Sequence, residues 1–397
     1  MNLTYEKLIR FDLLDYREKS LMENFDPNKF IYFFDKTQEI KSVDQFIKDA
    51  PSFPGSTDKI IRNEMVAAIG ATLSIEGTTL AKEEIEESFR KADLNKSLKK
   101  EEQEAENSRM VYKFIMELIR DRDEKFKYTE SLIKQIHKYF TNNIDYPTNK
   151  PGGYRGDFPV TFGNPRKNSL CRTRAETEKA MGKFIKWLNR KEIGILSSNA
   201  IVKAIMAHYY LTEIHPFVDG NGRTARALEA LILYLNGINT YCFWSLANFW
   251  SANRTKYLLH LHNIRITCDP CEFIFWGIDG YLNEIKSIKS KVLKKVKQLM
   301  LQDYAKYKLE NKKYEKIKIN HRILDLLKLL INSDKVKFEK FLSSPGAKTL
   351  YSRVSSSTRR RDILKMVNLN LIKFTNEQDE LYLAPNFEIL EYVRYNV

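Results

Sequence analysis

The stretch EIHPFVDGNGRTARAL, Glu213 to Leu228, combines a histidine before a proline, an acid between small residues and two arginines three positions apart. Gly220 and Gly222 lie where the following segment, RTARALEALILYLNG, takes up helical periodicity. The first N–H groups of a helix lack partners within the helix, and the helix dipole favours a negative charge beside them. The stretch therefore predicts a helix whose first turn binds an anion such as a phosphate group.

Four side chains of this stretch add the groups that phosphoryl-type transfer requires. Arg223 and Arg226 are three positions apart on the predicted helix, so they can project to the same side and bind phosphate oxygens. Asp219 supplies a hard oxygen ligand of the kind that Mg²⁺ uses when it bridges phosphates. His215 is the only group here whose ordinary pKa allows it to accept a proton near neutral pH. The sequence predicts a nucleotide-phosphate site with a base beside it.

The segment HPFVDGNGRTAR resembles the Fic-family motif HPFx[D/E]GNGRxxR at every defining position. The resemblance implies a protein adenylyltransferase, which moves AMP from ATP to a Ser, Thr or Tyr hydroxyl of a target protein, or of itself, and releases pyrophosphate. It implies that His215 is the general base and that Asp219 holds Mg²⁺ (or Mn²⁺). It also implies a set of phosphate-binding residues: Gly220, Asn221, Gly222, Arg223, Thr224 and Arg226. Pro216 and Phe217 are part of the motif, and we interpret them as stiffening the chain and packing in the core.

Two further segments resemble parts of the same family. GGYRGDFPVTFG resembles the flap that lies over the active site and aligns the target through main-chain hydrogen bonds. The flap candidates are Val160, Thr161, Phe162 and Gly163, and the alternative is an ordinary surface hairpin. Tyr257 resembles a tyrosine that contacts the nucleotide. His208, on the apolar AIMAHYYL segment, is interpreted as a packing residue instead.

The segment TLSIEG, Thr72 to Gly77, resembles the inhibitory motif [ST]xxxE[GN] of Fic proteins. It follows a predicted helix upstream of the catalytic motif, and Gly77 is typical of a residue that ends a helix. By the resemblance, Glu76 pairs with Arg226 and occupies the guanidinium that should bind the γ-phosphate of ATP. The alternative interpretation is a solvent-exposed glutamate at a helix end.

Helical periodicity dominates the chain and predicts a mainly α fold. With the resemblance, the expected architecture is a Fic-type helical core with a β-hairpin flap, followed by a C-terminal winged-helix (α+β) domain. The winged helix is predicted because three short helices precede two β-prone segments around the polar turn TNEQDE. The expected divisions are an N-terminal helical region with the inhibitory helix (1–100), the catalytic core (101–285), a linker helix (286–317) and the winged helix-turn-helix domain (318–397).

The positive charge is concentrated in the C-terminal third. The chain has a formal net charge of +15, and residues 286–397 contain 25 Lys and Arg against 12 Asp and Glu. The segment SSSTRRRDILKMV places Arg359, Arg360 and Arg361 at the start of the predicted recognition helix. This charge favours an anionic partner such as DNA, bound through its phosphates. A protein partner is the equally weighted alternative, because winged helices also serve as protein-interaction modules.

Composition and local sequence patterns bear on the location of the protein and on its possible metal binding. The charged N-terminal segment does not resemble a signal peptide, and four cysteines in a chain of this length fit a reducing, cytoplasmic location. The uncharged run 230–250 is interrupted by NGIN (236–239), so a buried helix and a turn are predicted instead of a membrane span. The cluster HLHNIRITCDPC raises a zinc alternative, but its spacing fits the familiar zinc patterns poorly. A homodimer is compatible with the sequence, and the target protein is not identified by it.

Two competing functions remain open at this level. The same phosphate-binding site could transfer another nucleotide or phosphate group, or remove AMP from a modified target. A DNA-binding regulator that only senses nucleotide is the alternative from a different class. An intact His215 argues against that regulator, because a sensor has no use for a base at this position.

Overall fold

The computed structural model describes residues 27–51, 56–120, 126–144, 150–157, 171, 173–190, 199–239, 246–310, 317–333, 335–378 and 380–393. The chain forms two compact units, Met1–Lys289 and Ser290–Val397. Val160 to Gly163, the predicted flap residues, lie outside the described residues. Their role therefore stays a prediction, as do the boundaries of the four predicted divisions.

The described part of the first unit is helical. Its helices are α1 (Pro27–Asp49), α2 (Ser56–Ile75), α3 (Lys82–Asp93), α4 (Lys100–Arg120), α5 (Glu130–Thr141), α6 (Arg174–Leu188), α7 (Ala200–Ile214), α8 (Asn221–Leu235), α9 (Ala247–Ala252), α10 (Arg254–Thr267) and α11 (Cys271–Glu310). The last of these continues into the second unit. Within the described ranges, none of these helices is both long and apolar enough to cross a bilayer.

Helices α7 and α8 form the centre of the first unit and pack extensively on each other. Almost every residue of both helices is buried, which agrees with their lack of a polar face. Helix α7 begins at the N-cap Asn199, whose side chain accepts from two backbone N–H groups, and it ends at His215. Helix α8 starts after Gly220. The HPFVDG loop is therefore held between the ends of two rigid, buried helices.

The predicted helix ends on either side of this centre are confirmed. Helix α2 ends at Ile75, and Gly77 follows with φ of +98°, a conformation that costs little for glycine alone. Helix α8 ends at Leu235, and Gly237 in the predicted NGIN turn has φ of +73°. Backbone N–H groups of these turns return to the last carbonyls of each helix, which closes both ends.

The second unit combines short helices with a three-stranded antiparallel sheet. After α11 it contains α12 (Ile317–Ile331), β1 (Val336–Lys337), α13 (Phe338–Leu342), α14 (Pro345–Leu350), α15 (Ser356–Asn368), β2 (Ile372–Glu377), β3 (Glu380–Pro385) and α16 (Ile389–Val393). The sheet order is β1-β3-β2, with Phe374 opposite Leu383 in the hairpin. Its core includes Ile323, Leu327, Phe341, Ile363, Met366, Ile372 and Leu383.

The hairpin and three of the four helices before it follow the predicted order, whereas the six-residue helix α14 was not predicted. The two-residue strand β1 was not predicted, because it is too short to show an alternating pattern. It pairs with β3 through Val336 and Leu383. That the unit functions as a winged helix stays a prediction.

Candidate active site

The loop after α7 turns sharply at His215. This residue has φ of 51° and ψ of 59°, a left-handed conformation that is uncommon for any residue with a side chain. Arg155 secures the turn: its Nε donates to the His215 carbonyl at 2.8 Å and its backbone N–H to the Pro216 carbonyl at 3.0 Å. Arg155 is itself fully buried. The strained turn thus has a rigid support on the segment that follows Gly152 and Gly153.

The imidazole of His215 is prepared to accept a proton. Its Nδ1 lies 3.3 Å from the carbonyl oxygen of Thr212, which can only accept, so Nδ1 carries the ring proton and Nε2 carries the lone pair. Burial, assisted by the charge of Arg155, lowers the pKa of His215 to about 4. The ring is therefore neutral at physiological pH, which is the form that a general base requires.

Three further residues of the motif shape the start of α8. Gly220 is the N-cap and has φ of +75°, and a side chain there would meet Thr141 and the ring of His137 at 3.3 to 3.4 Å. Asn221 forms two 2.9 Å hydrogen bonds with the backbone of Phe217, which closes the loop onto the helix. The Thr224 hydroxyl donates to the Gly220 carbonyl at 2.8 Å.

Arg223 connects the predicted metal ligand to helix α4. Its Nη2 donates to Oδ2 of Asp219 at 2.7 Å, and its Nη1 lies 3.6 Å from Oε1 of Glu104. Glu104 also accepts a 2.8 Å hydrogen bond from the hydroxyl of Thr78, just beyond the predicted inhibitory motif. Burial raises the pKa of Asp219, but the charge and hydrogen bond of Arg223 and the N–H of Gly220 together hold it below its ordinary value. Asp219 is therefore ionised and able to bind a cation.

Arg226 is bound by helix α2 through three hydrogen bonds. Its Nη2 donates to Glu76 Oε1 at 2.6 Å and to the Thr72 carbonyl at 3.2 Å, and its Nε donates to the Thr72 hydroxyl at 2.6 Å. The guanidinium is only 1% exposed. Burial lowers the pKa of Arg226, but the Glu76 carboxylate, with Tyr257 and Tyr112, raises it above its ordinary value.

The space between the two arginines suits a phosphate group. Nε of Arg223 and Nη1 of Arg226 are buried, and neither meets an acceptor among the residues that the structure describes. Buried donors of this kind are costly unless a ligand satisfies them. A Cβ at Gly222 would collide with Glu76 Oε1 and lie 3.1 Å from Arg226 Nη1. The absent side chain therefore leaves room for an oxyanion, which Glu76 fills in this structure.

Tyr257 and His208 belong to a buried hydrogen-bonded network beneath Arg226. The imidazole of His208 links two partners: its Nε2 lies 2.8 Å from the Tyr257 hydroxyl, and its Nδ1 lies 2.8 Å from Glu229 Oε2. Tyr257 is 3% exposed, and burial raises its pKa. His208 is fully buried, in agreement with the packing role that the sequence predicts. A nucleotide contact for Tyr257 stays a prediction.

The structure thus brings together His215, Asp219, the helix start, both arginines and the inhibitory motif. Their individual roles stay predictions. Sequence reasoning missed three buried partners of the site: Glu104, His137 and Arg155. His137 contacts the backbone of Asp219, and Arg155 contacts the backbone of His215. Contacts to backbone groups leave no pattern in a sequence. The one available signal was a polar residue such as His137 on the apolar face of a predicted helix.

The zinc alternative finds no support in the part of the chain that the structure describes. No group of three or more His, Cys, Asp or Glu side chains is arranged there to hold a metal ion. Cys268 and Cys271 are partly buried and form no disulfide bond. His260 of α10 stacks on Trp276 of α11, with 4.6 Å between the ring centroids.

Comparison with known families identifies the central part of this chain. Residues 127–233 match the model of the Fic/DOC family. This range contains α5 to the end of α7, the HPFVDG loop and most of α8, the elements that build the site. The chain therefore carries a Fic/DOC domain, as the motif at His215 predicts.

Curated relatives share the motif region. The chain is 46% identical over 57 residues to the protein adenylyltransferase Fic of Drosophila erecta, and 48% identical over 62 residues to that of Nematostella vectensis. These matches cover 14% and 16% of this chain, and 11% and 14% of those two proteins. The chain thus spans only a small part of the curated relatives it matches.

Solved structures extend the likeness to the fold of most of the chain. A Fic family protein from Desulfovibrio desulfuricans superimposes with a TM-score of 0.53 at 17% identity, over 89% of this chain and 95% of that one. Fic-1 from C. elegans gives a TM-score of 0.50 at 20% identity, over 68% of this chain and 75% of that one. At these identities the comparison establishes the fold: a mainly α protein with Fic-type architecture.

Proposed function

We propose that this protein is an adenylyltransferase that moves AMP from ATP to a hydroxyl group of a protein. The observation that carries the proposal is the position of a neutral imidazole, His215, beside a helix start with two buried arginines. The relatives named protein adenylyltransferase Fic, which share this stretch of sequence, support the reaction class. A pure nucleotide sensor would need the arginines but not a proton acceptor.

The donor nucleotide is expected to bind along the start of α8. Backbone N–H groups of the first turn and the unpaired donors of Arg223 and Arg226 supply positive potential for the phosphates. Asp219, which is ionised and partly exposed, would hold Mg²⁺ or Mn²⁺. A metal ion held there would supply positive charge that neutralises the phosphates of the nucleotide. Asp219 and Arg223 contact each other here, so the carboxylate is expected to exchange that partner for the cation.

The chemical step assigns a proton transfer to His215. The hydroxyl oxygen of the target attacks the α-phosphorus, and Nε2 of His215 takes the hydroxyl proton. A new oxygen–phosphorus bond forms, the bond to the β-phosphate oxygen breaks, and pyrophosphate leaves. The Nδ1–H bond to Thr212 fixes the ring so that Nε2, and not Nδ1, accepts the proton.

We further propose that Glu76 inhibits this reaction by occupying Arg226. The contact resembles a charge-assisted bond that a γ-phosphate would otherwise make. Because Thr72 also accepts twice from the same guanidinium, α2 and the turn that follows it hold Arg226 through three hydrogen bonds. If a nucleotide binds while Glu76 remains in place, its γ-phosphate cannot contact Arg226. The α-phosphate is then held in the wrong position for attack.

The reaction is tested with ATP labelled at either the α- or the γ-phosphate. Full-length Glu76→Gly protein is incubated with each donor and Mg²⁺, and the intact mass is measured. AMP transfer predicts an AMP adduct with the α-label alone, whereas transfer of a terminal phosphate predicts the γ-label. Label from neither donor, together with loss of a preformed AMP group from a modified protein, would favour AMP removal instead.

The pH dependence of the reaction follows from the state of His215. An ordinary histidine, with a pKa of 6.5, loses its lone pair as the pH falls through that value, but the pKa of His215 is lowered by burial to about 4. The proton-accepting form therefore persists to lower pH. We expect kcat/KM of the Glu76→Gly protein to stay level from pH 8 to about 5 and to fall toward pH 4. ATP affinity and circular dichroism at each pH correct for nucleotide protonation and unfolding, and a half-loss near pH 6.5 would contradict this.

A second candidate function, DNA binding, is favoured by the exposed face of α15 in the second unit. Arg360 and Arg361 are adjacent there, and the exposed Leu364 follows one helical turn later. The two arginines pair with no carboxylate within the described part of the chain. The hairpin β2–β3, by contrast, carries Glu377 and Glu380, each neutralised by a lysine. We propose that these two arginines contact the phosphates of duplex DNA.

The DNA proposal predicts a measurable salt dependence. Full-length protein is expected to shift duplex DNA, with an affinity that falls as salt rises. The double variant Arg360→Ala, Arg361→Ala is expected to reduce the slope of log affinity against log salt by about 2, one for each phosphate that the arginines no longer neutralise. Lys328→Ala with Lys340→Ala, exposed lysines of the same unit, is the matched control. Absence of any shift at low salt would favour a protein partner for this surface.

A further inference from the structure

His137 is a buried histidine that contacts the HPFVDG loop and that the proposed reaction does not use. It lies on α5, which packs on α8, and it is 2% exposed. Its Nε2 lies 2.9 Å from the backbone carbonyl of Asp219, and its Nδ1 accepts from the N–H of Gly152 at 3.0 Å. Both ring nitrogens are therefore occupied by backbone groups from two distant segments.

These two contacts define the tautomer of His137. Because the N–H of Gly152 donates a hydrogen bond to Nδ1, that nitrogen carries the lone pair. Nε2 therefore carries the ring proton and donates a hydrogen bond to the backbone carbonyl of Asp219. Burial lowers the pKa of His137 to about 4, which keeps the ring neutral. A protonated ring could not accept from Gly152, and a ring with the proton on Nδ1 could form neither hydrogen bond.

The ring also packs on the loop. It stacks on Phe217 with 3.7 Å between centroids and an interplanar angle of 6°. The space that Gly220 leaves by lacking a side chain is filled by the edge of the same ring, 3.4 Å from where a Cβ would lie. His137 thus contacts the loop at three successive points: Phe217, Asp219 and Gly220.

The segment on the other side of His137 leads to the base. Gly152 is followed by Arg155, which donates to the carbonyls of both His215 and Pro216. His137 therefore connects the backbone that supports His215 with the backbone that carries Asp219. The distance between the side chains of His215 and Asp219 therefore depends on the contacts of His137.

We propose that His137 is a positioning residue that sets where the Asp219 carboxylate lies relative to His215, and so determines how well the site binds the metal ion with ATP. The proposal rests on the proposed function, but it concerns the geometry of the loop. His137 makes no contact with the carboxylate itself. It acts by holding the Asp219 peptide through one directional bond and a ring stack.

A structural role alone would make a different prediction. Loss of a packing residue lowers stability and the fraction of active protein, without changing the metal concentration that the reaction needs. Misplacement of Asp219 weakens metal binding specifically, and groups that orient ligands typically change metal affinity by 10- to 100-fold when removed. ATP binding without metal should survive, because Arg223, Arg226 and the helix start are unaffected.

The test compares His137 variants in the Glu76→Gly background. His137→Phe keeps the ring stack and removes both hydrogen bonds, whereas His137→Gln offers a donor and an acceptor without the ring. His137→Phe is expected to raise the Mg²⁺ concentration for half-maximal AMP transfer about tenfold, and His137→Gln is expected to recover most of this loss. Calorimetric titration with ATP should show the same loss in the presence of Mg²⁺ and unchanged affinity without it.

Ile136→Val, one position earlier and fully buried on the same helix, controls for stability, and melting temperatures are measured for each variant. His137→Leu replaces the phenylalanine variant if that protein does not fold, with the same expected loss. Parental Mg²⁺ dependence and ATP affinity in the folded variant would overturn the proposal. If Glu76→Gly protein transfers no AMP at all, the proposed function fails, and the calorimetric comparison still decides the role of His137.

Discussion

Replacing Glu76 with glycine is expected to raise the rate of AMP transfer about 30- to 100-fold. A hydrogen bond between charged groups contributes about 2 to 3 kcal/mol, and the nucleotide must displace this contact before its γ-phosphate can reach Arg226. The variant removes the carboxylate while Thr72, which binds the same guanidinium, remains in place. Because Glu76 lies beyond the last residue of α2, the glycine does not interrupt a helix.

The measurement is the initial rate of incorporation of α-labelled ATP by wild-type and variant protein at equal concentration. Glu76→Gln keeps the size of the side chain and removes its charge, so a smaller increase is expected. Glu83→Ala, an exposed glutamate on the neighbouring helix α3, controls for a general loss of negative charge and should leave the rate unchanged. Equal rates for wild type and Glu76→Gly would remove the inhibitory role of this contact.

The pairing of Glu76 with Arg226 shows what the sequence could and could not predict. The two residues are 150 positions apart, and no periodicity relates them. The pairing was predicted only through the resemblance of TLSIEG to a known motif. By contrast, the start and end of α8 follow from local chemistry, since Gly220 and Gly237 both have positive φ, which glycine adopts at little cost.

Contacts to backbone groups were not predictable in the same way. His137 lies on KQIHKYF, where its spacing fits the buried face of an amphipathic helix, and nothing in that pattern distinguishes a packing histidine from one that holds a loop. Its partners, Gly152 and the Asp219 carbonyl, are contributed by segments 15 and 82 residues away. Such contacts depend on tertiary packing, which arises only after the helices have assembled.

In the second unit, too, local elements could be predicted from the sequence and tertiary contacts could not. The hairpin and three of this unit's helices, α12, α13 and α15, were predicted from periodicity and a polar turn. The strand β1 was not, because two residues carry too little pattern. The buried pair Arg322 and Asp362, with Nε and Oδ2 at 2.5 Å, was also missed, since 40 residues separate them. Because Asp362 pairs with Arg322, it does not neutralise the neighbouring Arg361. The exposed arginines of α15 can therefore contact an external partner.

Replacing His215 with alanine in the Glu76→Gly background is expected to reduce AMP transfer about 10²- to 10⁴-fold, the usual contribution of a positioned general base. The step that fails is removal of the hydroxyl proton, because no other imidazole among the described residues can replace His215 at the loop. Both ring nitrogens of His137 form hydrogen bonds with backbone groups, and those of His208 form hydrogen bonds with Glu229 and Tyr257.

ATP affinity should change little, because the phosphate-binding groups are on α8. His321→Ala, an exposed histidine of the second unit, is the matched control. Retention of more than about a tenth of the parental rate with unchanged ATP binding would exclude His215 as the base. Because the left-handed turn at this position strains any side chain, His215→Asn, which tolerates that conformation, separates loss of the base from loss of the turn.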